Sequence, residues 1–157
     1  MYFIALCDDD VRELDIIEDY LTSYQKSKET DEYRIDRFQS AEELLERITE
    51  KEYVPDLLFL DIFMSGKTGI EAAGELRKQD CGMPIVFLTT SKEYALEAYG
   101  VDAVQYLVKP LTQERFFHAM DMAFQQMKMA LENQIVVKVA GGGIRQMKAD
   151  DIIYCES

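Results

Sequence analysis

The feature that most constrains this chain is a rhythm. Short apolar runs of strand length alternate five times with segments of helical spacing. Tyr2–Cys7 is the first run, and Leu14, Ile17, Leu21 and Tyr24 then mark one face of a helix from Val11 to about Ser27. Tyr33–Phe38 alternates as a weak, half-exposed strand. Ser40 and Glu43 form a capping-box pattern ahead of Leu44, Leu45 and Ile48, and that helix ends before Pro55. Leu57–Leu60 is continuously apolar, as a strand covered on both faces is. Thr68 and Glu71 repeat the capping box for a helix to about Gln79, and Pro84 opens the buried strand Ile85–Leu88. A short helix over Lys92–Tyr99 stops at Gly100, Val104–Val108 is the fifth strand, and Thr112 caps a long helix ending near Asn133. The stripe of Phe116, Met120, Ala123, Phe124, Met127 and Leu131 faces that last helix inward. Five strands alternating with helices predict an α/β domain with a parallel sheet covered on both faces.

After that the rhythm breaks. Ile135–Val139 alternates, Gly141-Gly142-Gly143 makes a turn, and Ile144–Lys148 alternates again before the apolar run at Asp150–Tyr154. This predicts an antiparallel hairpin, too short to build its own core. It reads as the opening of a second domain, with a β extension of the first as the alternative.

Composition excludes several classes. Thirty acidic against 17 basic residues give a net charge of −13, which argues against a binder of nucleic-acid backbone in this stretch. An acidic module attached to a DNA-binding one remains open. No apolar run approaches the roughly 20 residues of a membrane span, and MYFIALCDDD lacks the basic start of a signal peptide. Cys7, Cys81 and Cys155 are far apart with no CxxC pair, and His118 is the single histidine. That predicts reduced cytoplasmic thiols, not a disulfide framework or a zinc site.

Chemistry in an open parallel sheet gathers beyond the carboxyl ends of the strands. The first strand runs into Asp8-Asp9-Asp10, the third ends in Asp61, the fourth in Thr89-Thr90, and the fifth precedes Lys109-Pro110. With the first and third strands adjacent, Asp8, Asp9 and Asp61 converge. Two carboxylates ~4 Å apart repel by roughly 4 kcal/mol at an effective dielectric near 20, so three of them need a cation, a shared proton or strain. Oxygen-only ligands suit a hard ion such as Mg²⁺. Adding the Lys109 ammonium and the Thr89 hydroxyl describes a phosphoryl site in which a carboxylate acts as nucleophile. Each residue alone has a plainer explanation: Asp10 as a helix cap, Asp8 as a cap or surface group, Lys109 as a solvated lysine, Thr89 as a strand residue and Tyr106 as a core aromatic.

Together, CDDD at 7–10, FLDIFMSGKTGIE at 59–71, FLTTS at 87–91 and YLVKP at 106–110 resemble the receiver domain of two-component response regulators. The resemblance covers about residues 1–131. It implies a flavodoxin-like, doubly wound sheet in the order 2-1-3-4-5, with Asp61 accepting a phosphoryl group from a sensor histidine kinase. It further implies Mg²⁺ held directly by Asp9, Asp61 and the backbone carbonyl of Phe63, and by Asp8 mainly through water. Thr89 and Lys109 would contact the phosphoryl oxygens, with Thr90 beside them. Tyr106 would be the switch aromatic, and the bond before Pro110 would be cis. Such a domain is a phosphoacceptor, limited to its own phosphorylation and dephosphorylation, and not a turnover enzyme.

The stretch TTSKEYALEAYGVDAVQYLVKP and the tail IVVKVAGGGIRQMKADDIIYCES resemble the subgroup carrying a LytTR DNA-binding domain. Residues 132–157 would then be a linker and the first strands of that domain, with promoter DNA as the partner of the parent protein. A homodimer formed on phosphorylation through the surface around the fourth helix is a further expectation. Three residues depart from the family pattern. Ser65 stands where Pro is usual, Thr90 where a smaller residue is common, and Phe63 is bulky two positions past Asp61. They bear on the dephosphorylation rate, not on the phosphorylation site.

Two other classes compete. LFLDIF resembles the opening of haloacid-dehalogenase-type phosphatases, with Asp61 as nucleophile, but Phe63 stands where their second Asp is needed. An FMN-binding flavodoxin needs a phosphate loop where this chain has three Asp, which would repel phosphate.

Overall fold

The computed structural model describes residues 1–28, 32–50, 53–79 and 81–141, with backbone alone from residue 130 onward. Ten elements alternate without exception: β1 (Tyr2–Cys7), α1 (Val11–Lys28), β2 (Tyr33–Phe38), α2 (Ala41–Glu50), β3 (Leu57–Asp61), α3 (Gly69–Lys78), β4 (Ile85–Thr89), α4 (Ala95–Gly100), β5 (Gln105–Val108) and α5 (Gln113–Gly141). The strands form one parallel sheet in the order β2-β1-β3-β4-β5.

The period of two along each strand divides the core. Ala5, Cys7, Leu58, Leu60, Ile85 and Phe87 face α2, α3 and Ala98 of α4. Ile4, Leu6, Leu57, Phe59, Val86 and Leu88 face α1 and α5, where Phe116, Ala119, Met120 and Ala123 close the layer. Every residue of β3 and β4 is buried, which is why those runs carry no alternation, whereas the edge strands β2 and β5 are only partly covered.

Local signals set most helix starts. The Asp10 carboxylate accepts the Arg12 N–H at 3.0 Å, and Ser40 Oγ accepts the Glu43 N–H at 3.1 Å. Thr68 and Glu71 satisfy each other's backbone N–H groups in a complete capping box. Thr112 Oγ1 accepts the Arg115 N–H at 3.3 Å.

Two elements differ from expectation. The helix expected over Lys92–Tyr99 is α4, starting only at Ala95. Ser91 Oγ takes the Glu93 N–H and the Tyr106 hydroxyl takes the Tyr94 N–H, so the segment before Ala95 turns instead of winding. Nor does Gly100 stop it from outside, since it is the last helical residue; Asp102, with φ 60°, reverses the chain. The second difference is larger: α5 runs to Gly141, through residues 135–139 where the alternation predicts a strand. A strand needs a paired edge for its N–H and C=O groups, and residues 135–139 pair with no strand among the described residues, while a helix satisfies those groups within the segment. The rest of the expected hairpin, and Cys155, lie outside the described residues. The Lys109–Pro110 peptide is cis. No helix among the described residues is long and apolar enough to cross a membrane.

Candidate functional site

Register brings the carboxylates together. Cys7 lies opposite Leu60, so Asp8 and Asp61 follow side by side where β1 and β3 end. Both continue the row that faces α1 and α5, and both are buried, whereas Asp9 points to solvent. One carboxylate oxygen from each of Asp8, Asp9 and Asp61 lies within 4.8 Å of the other two.

Lys109, at the end of β5, reaches across β4 to this row. Its Nζ is 2.9 Å from Asp8 Oδ2, 3.7 Å from Asp61 Oδ1 and 3.5 Å from Glu13 Oε1. The Asp10 N–H donates to Asp8 Oδ1 at 2.9 Å. Burial pulls the Lys109 pKa down, but the bond to Asp8 and the charge on Asp61 outweigh it and leave the ammonium above its ordinary value. Asp61 goes the other way for an acid. Burial first, then the charge on Asp8, push its pKa up to about 7, with Lys109 opposing.

Asp8, Asp9, Asp61 and Lys109 line a cavity of about 220 Å³, together with Phe63, Thr90, Asp10 and Glu13. A cavity of about 460 Å³ beside β5 and α5, between Tyr106 and His118, is larger. Volume does not rank chemistry here, because it contains no such carboxylate cluster. An all-oxygen donor set with carboxylates in excess over one ammonium fits a hard divalent cation such as Mg²⁺ and does not fit a soft metal.

Not every expected residue faces this cavity. Thr89 follows the opposite row, with Ile85 and Phe87, and is fully buried with its Oγ1 accepting the Ser91 N–H at 3.4 Å. Thr90 provides the wall instead. Tyr106 packs on the Thr89 side, and its hydroxyl donates to the Ser91 carbonyl and accepts from the Tyr94 N–H. Thr89 and Tyr106 thus both bond to the backbone of Ser91. Phe63 is half exposed and packs edge-on against Tyr94, with ring centroids 5.2 Å apart.

Three contributors lay outside the sequence expectations. Glu13 was legible in principle as an acid in the first turn of α1. The Ser65 N–H, which donates to Asp9 Oδ2 at 3.1 Å, and Glu42, whose Oε2 accepts the Lys67 N–H at 3.0 Å, depend on the path of the β3–α3 loop and leave no local signal. That loop returns tightly. A side chain at Gly69 would put its Cβ 2.1 Å from the Asp61 carbonyl oxygen, so α3 can begin there only with glycine.

A five-stranded parallel sheet with this acidic row at its carboxyl edge and an ammonium opposite is the architecture of a receiver-type domain. The chain belongs to the response regulator receiver domain family, whose model matches residues 4–121. Among its relatives are the sensory transduction protein LytT of Bacillus subtilis, 38% identical over 93 residues, and the positive alginate biosynthesis regulatory protein of Pseudomonas aeruginosa, 35% identical over 88. The matches cover 59% and 56% of this chain but 38% and 36% of those proteins, so the matched part spans well under half the length of these two relatives. Among solved structures, the response regulator TrrA of Thermotoga maritima, in complex with Mg²⁺ and BeF, superposes with a TM-score of 0.64 at 28% identity. The likeness covers 77% of this chain and 97% of that one. The chain is therefore the receiver domain of a two-component response regulator related to LytT and the alginate regulator, and the haloacid-dehalogenase alternative finds no support.

Proposed function

We propose that Asp61 is the phosphoacceptor, taking a phosphoryl group from a phosphohistidine of a sensor histidine kinase. The observation that carries this is the position of Asp61: a buried carboxylate at a strand end, 3.7 Å from the Lys109 ammonium and open to the cavity. Its oxygen forms the new P–O bond as the P–N bond to histidine breaks, and the released imidazole keeps the electron pair. Attack needs the ionised form. Burial and the charge on Asp8 push the pKa of Asp61 up to about 7, so added positive charge favours the ionised, reactive state.

Asp8, Asp9 and Asp61 are the residues that would hold Mg²⁺, with the Phe63 backbone carbonyl as a further oxygen donor and Asp8 acting mainly through water. A bound divalent cation supplies charge neutralisation for the anionic donor. Lys109 is placed to meet a phosphoryl oxygen on the other side, and Thr90 forms the nearby wall. Thr89 contributes by leaving the Ser91 N–H for the phosphoryl oxygen, a charge-assisted bond. That loosens Ser91, which Tyr106 holds by its carbonyl, and Tyr106 is freed to change rotamer as the switch. The altered surface of α4, β5 and α5 is where a homodimer would form on phosphorylation.

Residues 1–131 would constitute the receiver and 132–157 a linker with the first strands of a LytTR domain, through which the parent protein would bind promoter DNA in the cytoplasm. The support is the similarity to LytT and the alginate regulator, whose names mark them as a signalling protein and a regulator. The deciding experiment is intact-mass analysis after phosphotransfer from candidate kinases, or after acetyl phosphate with Mg²⁺. A single phosphoryl group, labile to base and to hydroxylamine, on the wild type and none on Asp61→Asn is expected. Equal labelling of Asp61→Asn would sink the assignment.

A further inference from the structure

The three carboxylates of the cluster are not equally provided for. Asp8 has the Lys109 ammonium at 2.9 Å and the Asp10 N–H at 2.9 Å, and Asp61 has Lys109 at 3.7 Å. Asp9 is met by a neutral group, the Ser65 N–H at 3.1 Å, across 56 residues of chain. The loop that supplies this donor is fastened again two residues on, where the Lys67 N–H bonds Glu42 of α2. Gly66 lies between with φ 83°. The β3–α3 loop is therefore tied by two carboxylates, one from the β1–α1 loop and one from α2, and the first belongs to the acidic cluster.

Asp9 has one negative charge to share between the Ser65 N–H, held by Oδ2, and a cation. In the cation-free state the Ser65 N–H stabilises its charge and draws the carboxylate toward the loop. A divalent cation between Asp8, Asp9 and Asp61 attracts it far more strongly than a neutral N–H can, because the interaction is between full charges. We propose that the Ser65 N–H and the divalent cation compete for Asp9, so that cation binding releases the β3–α3 loop at Ser65 alone, while the Phe63 carbonyl would hold the loop to the cation and Glu42 keeps it fastened at Lys67. The latch is a backbone device. It needs an N–H at position 65, which serine or alanine provides and proline cannot. It rests on the Mg²⁺ reading of the acidic cluster and adds to it a residue that sets cation affinity without touching the cation.

The test is an Mg²⁺ titration of the ¹⁵N-labelled chain, following backbone amides and their exchange with solvent. The Ser65 amide should shift upfield and exchange faster, with the midpoint of overall binding, while the Lys67 amide holds. Ser65→Pro should bind Mg²⁺ about threefold to tenfold more tightly, since the cation-free state loses its stabilising bond. Ser65→Ala should match the wild type. A Ser65 amide that keeps its protection at saturating Mg²⁺, or a folded Ser65→Pro with equal or weaker affinity, overturns the proposal. If Ser65→Pro does not fold, the wild-type amide decides alone. Absence of any Mg²⁺ binding by the wild type would instead overturn the reading of the cluster itself, and the latch with it.

Discussion

Lys109 places its ammonium 2.9 Å from the carboxylate of Asp8, a residue 101 positions earlier; Asp8 is almost fully buried and Lys109 largely so. The pair joins the ends of β1 and β5, which are not neighbours in the sheet. An ion pair in this setting is costly to break from one side, because the remaining charge stays buried without compensation.

Lys109→Met should therefore destabilise the domain by about 3 kcal/mol. Adding Asp8→Asn should restore about half of that loss, since the charge left behind is then removed. Urea unfolding in EDTA, read as a double-mutant cycle, measures both. Additive losses would show that the two groups act independently.

Asp61 predicts a pH dependence. Its folded pKa of about 7 lies above the ordinary 3.8, with burial as the main cause. Between those values the folded chain keeps a proton that the unfolded chain has released, so stability from this group is full below about pH 4 and is lost as pH rises to about 7. Each pKa unit is worth about 1.4 kcal/mol. Without divalent cations, the wild type should lose ~2–4 kcal/mol relative to Asp61→Asn between about pH 4 and pH 8, and Mg²⁺ should shrink the difference. Parallel denaturation curves across this range would contradict it.

Two glycines of α3 should answer oppositely to alanine. At Gly69 the new Cβ would meet backbone atoms of Asp61 at 2.1 and 2.9 Å, and neither can retreat without moving β3. Gly69→Ala should cost ~2–4 kcal/mol and lower the phosphorylation yield at Asp61. Gly74 has nothing within 4 Å of a built Cβ, so Gly74→Ala should stabilise by ~0.5–1 kcal/mol through helix propensity. Thermal unfolding of the two variants separates the cases.

Arg77 should prove to be a structural clasp. Its guanidinium donates to the carbonyls of Val101 at 2.8 Å, Cys81 at 2.7 Å, Met83 at 2.9 Å and Asp102 at 3.2 Å. These bonds fasten the α4–β5 turn, with its positive-φ Asp102, to the end of α3. Arg77→Met should cost ~2–3 kcal/mol. Hydrogen exchange should quicken at residues 101–103 ahead of the sheet. Arg77→Lys should recover only part, because one ammonium cannot span carbonyls that the planar fork reaches together.

Local chemistry made much of this legible in advance. The capping residues Ser40, Thr68 and Thr112 each accept the N–H that their spacing to Glu43, Glu71 and Arg115 implies, because a cap involves atoms only three residues apart. The unbroken apolar runs of β3 and β4 reported their burial on both faces. Residues 135–139 show the limit of the same method. Their alternation favours a strand only where the segment pairs with another edge, and among the described residues it does not pair, so the backbone continues as α5.

Thr89 shows a subtler limit. Position at a strand end placed it near Asp61, but which side of the sheet it faces depends on counting from β4 and on the register Asp61↔Leu88. One residue decides between Thr89 and Thr90 at the cavity wall, since successive side chains point to opposite faces.

By itself the sequence determined the order of five strands and five helices, the faces that α1, α2 and α5 bury, and the fact that acids, hydroxyls and one lysine stand at the strand ends. Those properties come from periodicity and capping, which act over a few residues. Only the tertiary structure decided that Asp8 and Asp61 sit side by side, that Lys109 chooses Asp8 as its nearest partner, and that the Ser65 N–H answers Asp9 across 56 residues. Strand order, register and loop path bring together groups whose separation along the chain carries no signal, and a shift of one residue in any of them would turn a carboxylate from the site to the other face of the sheet.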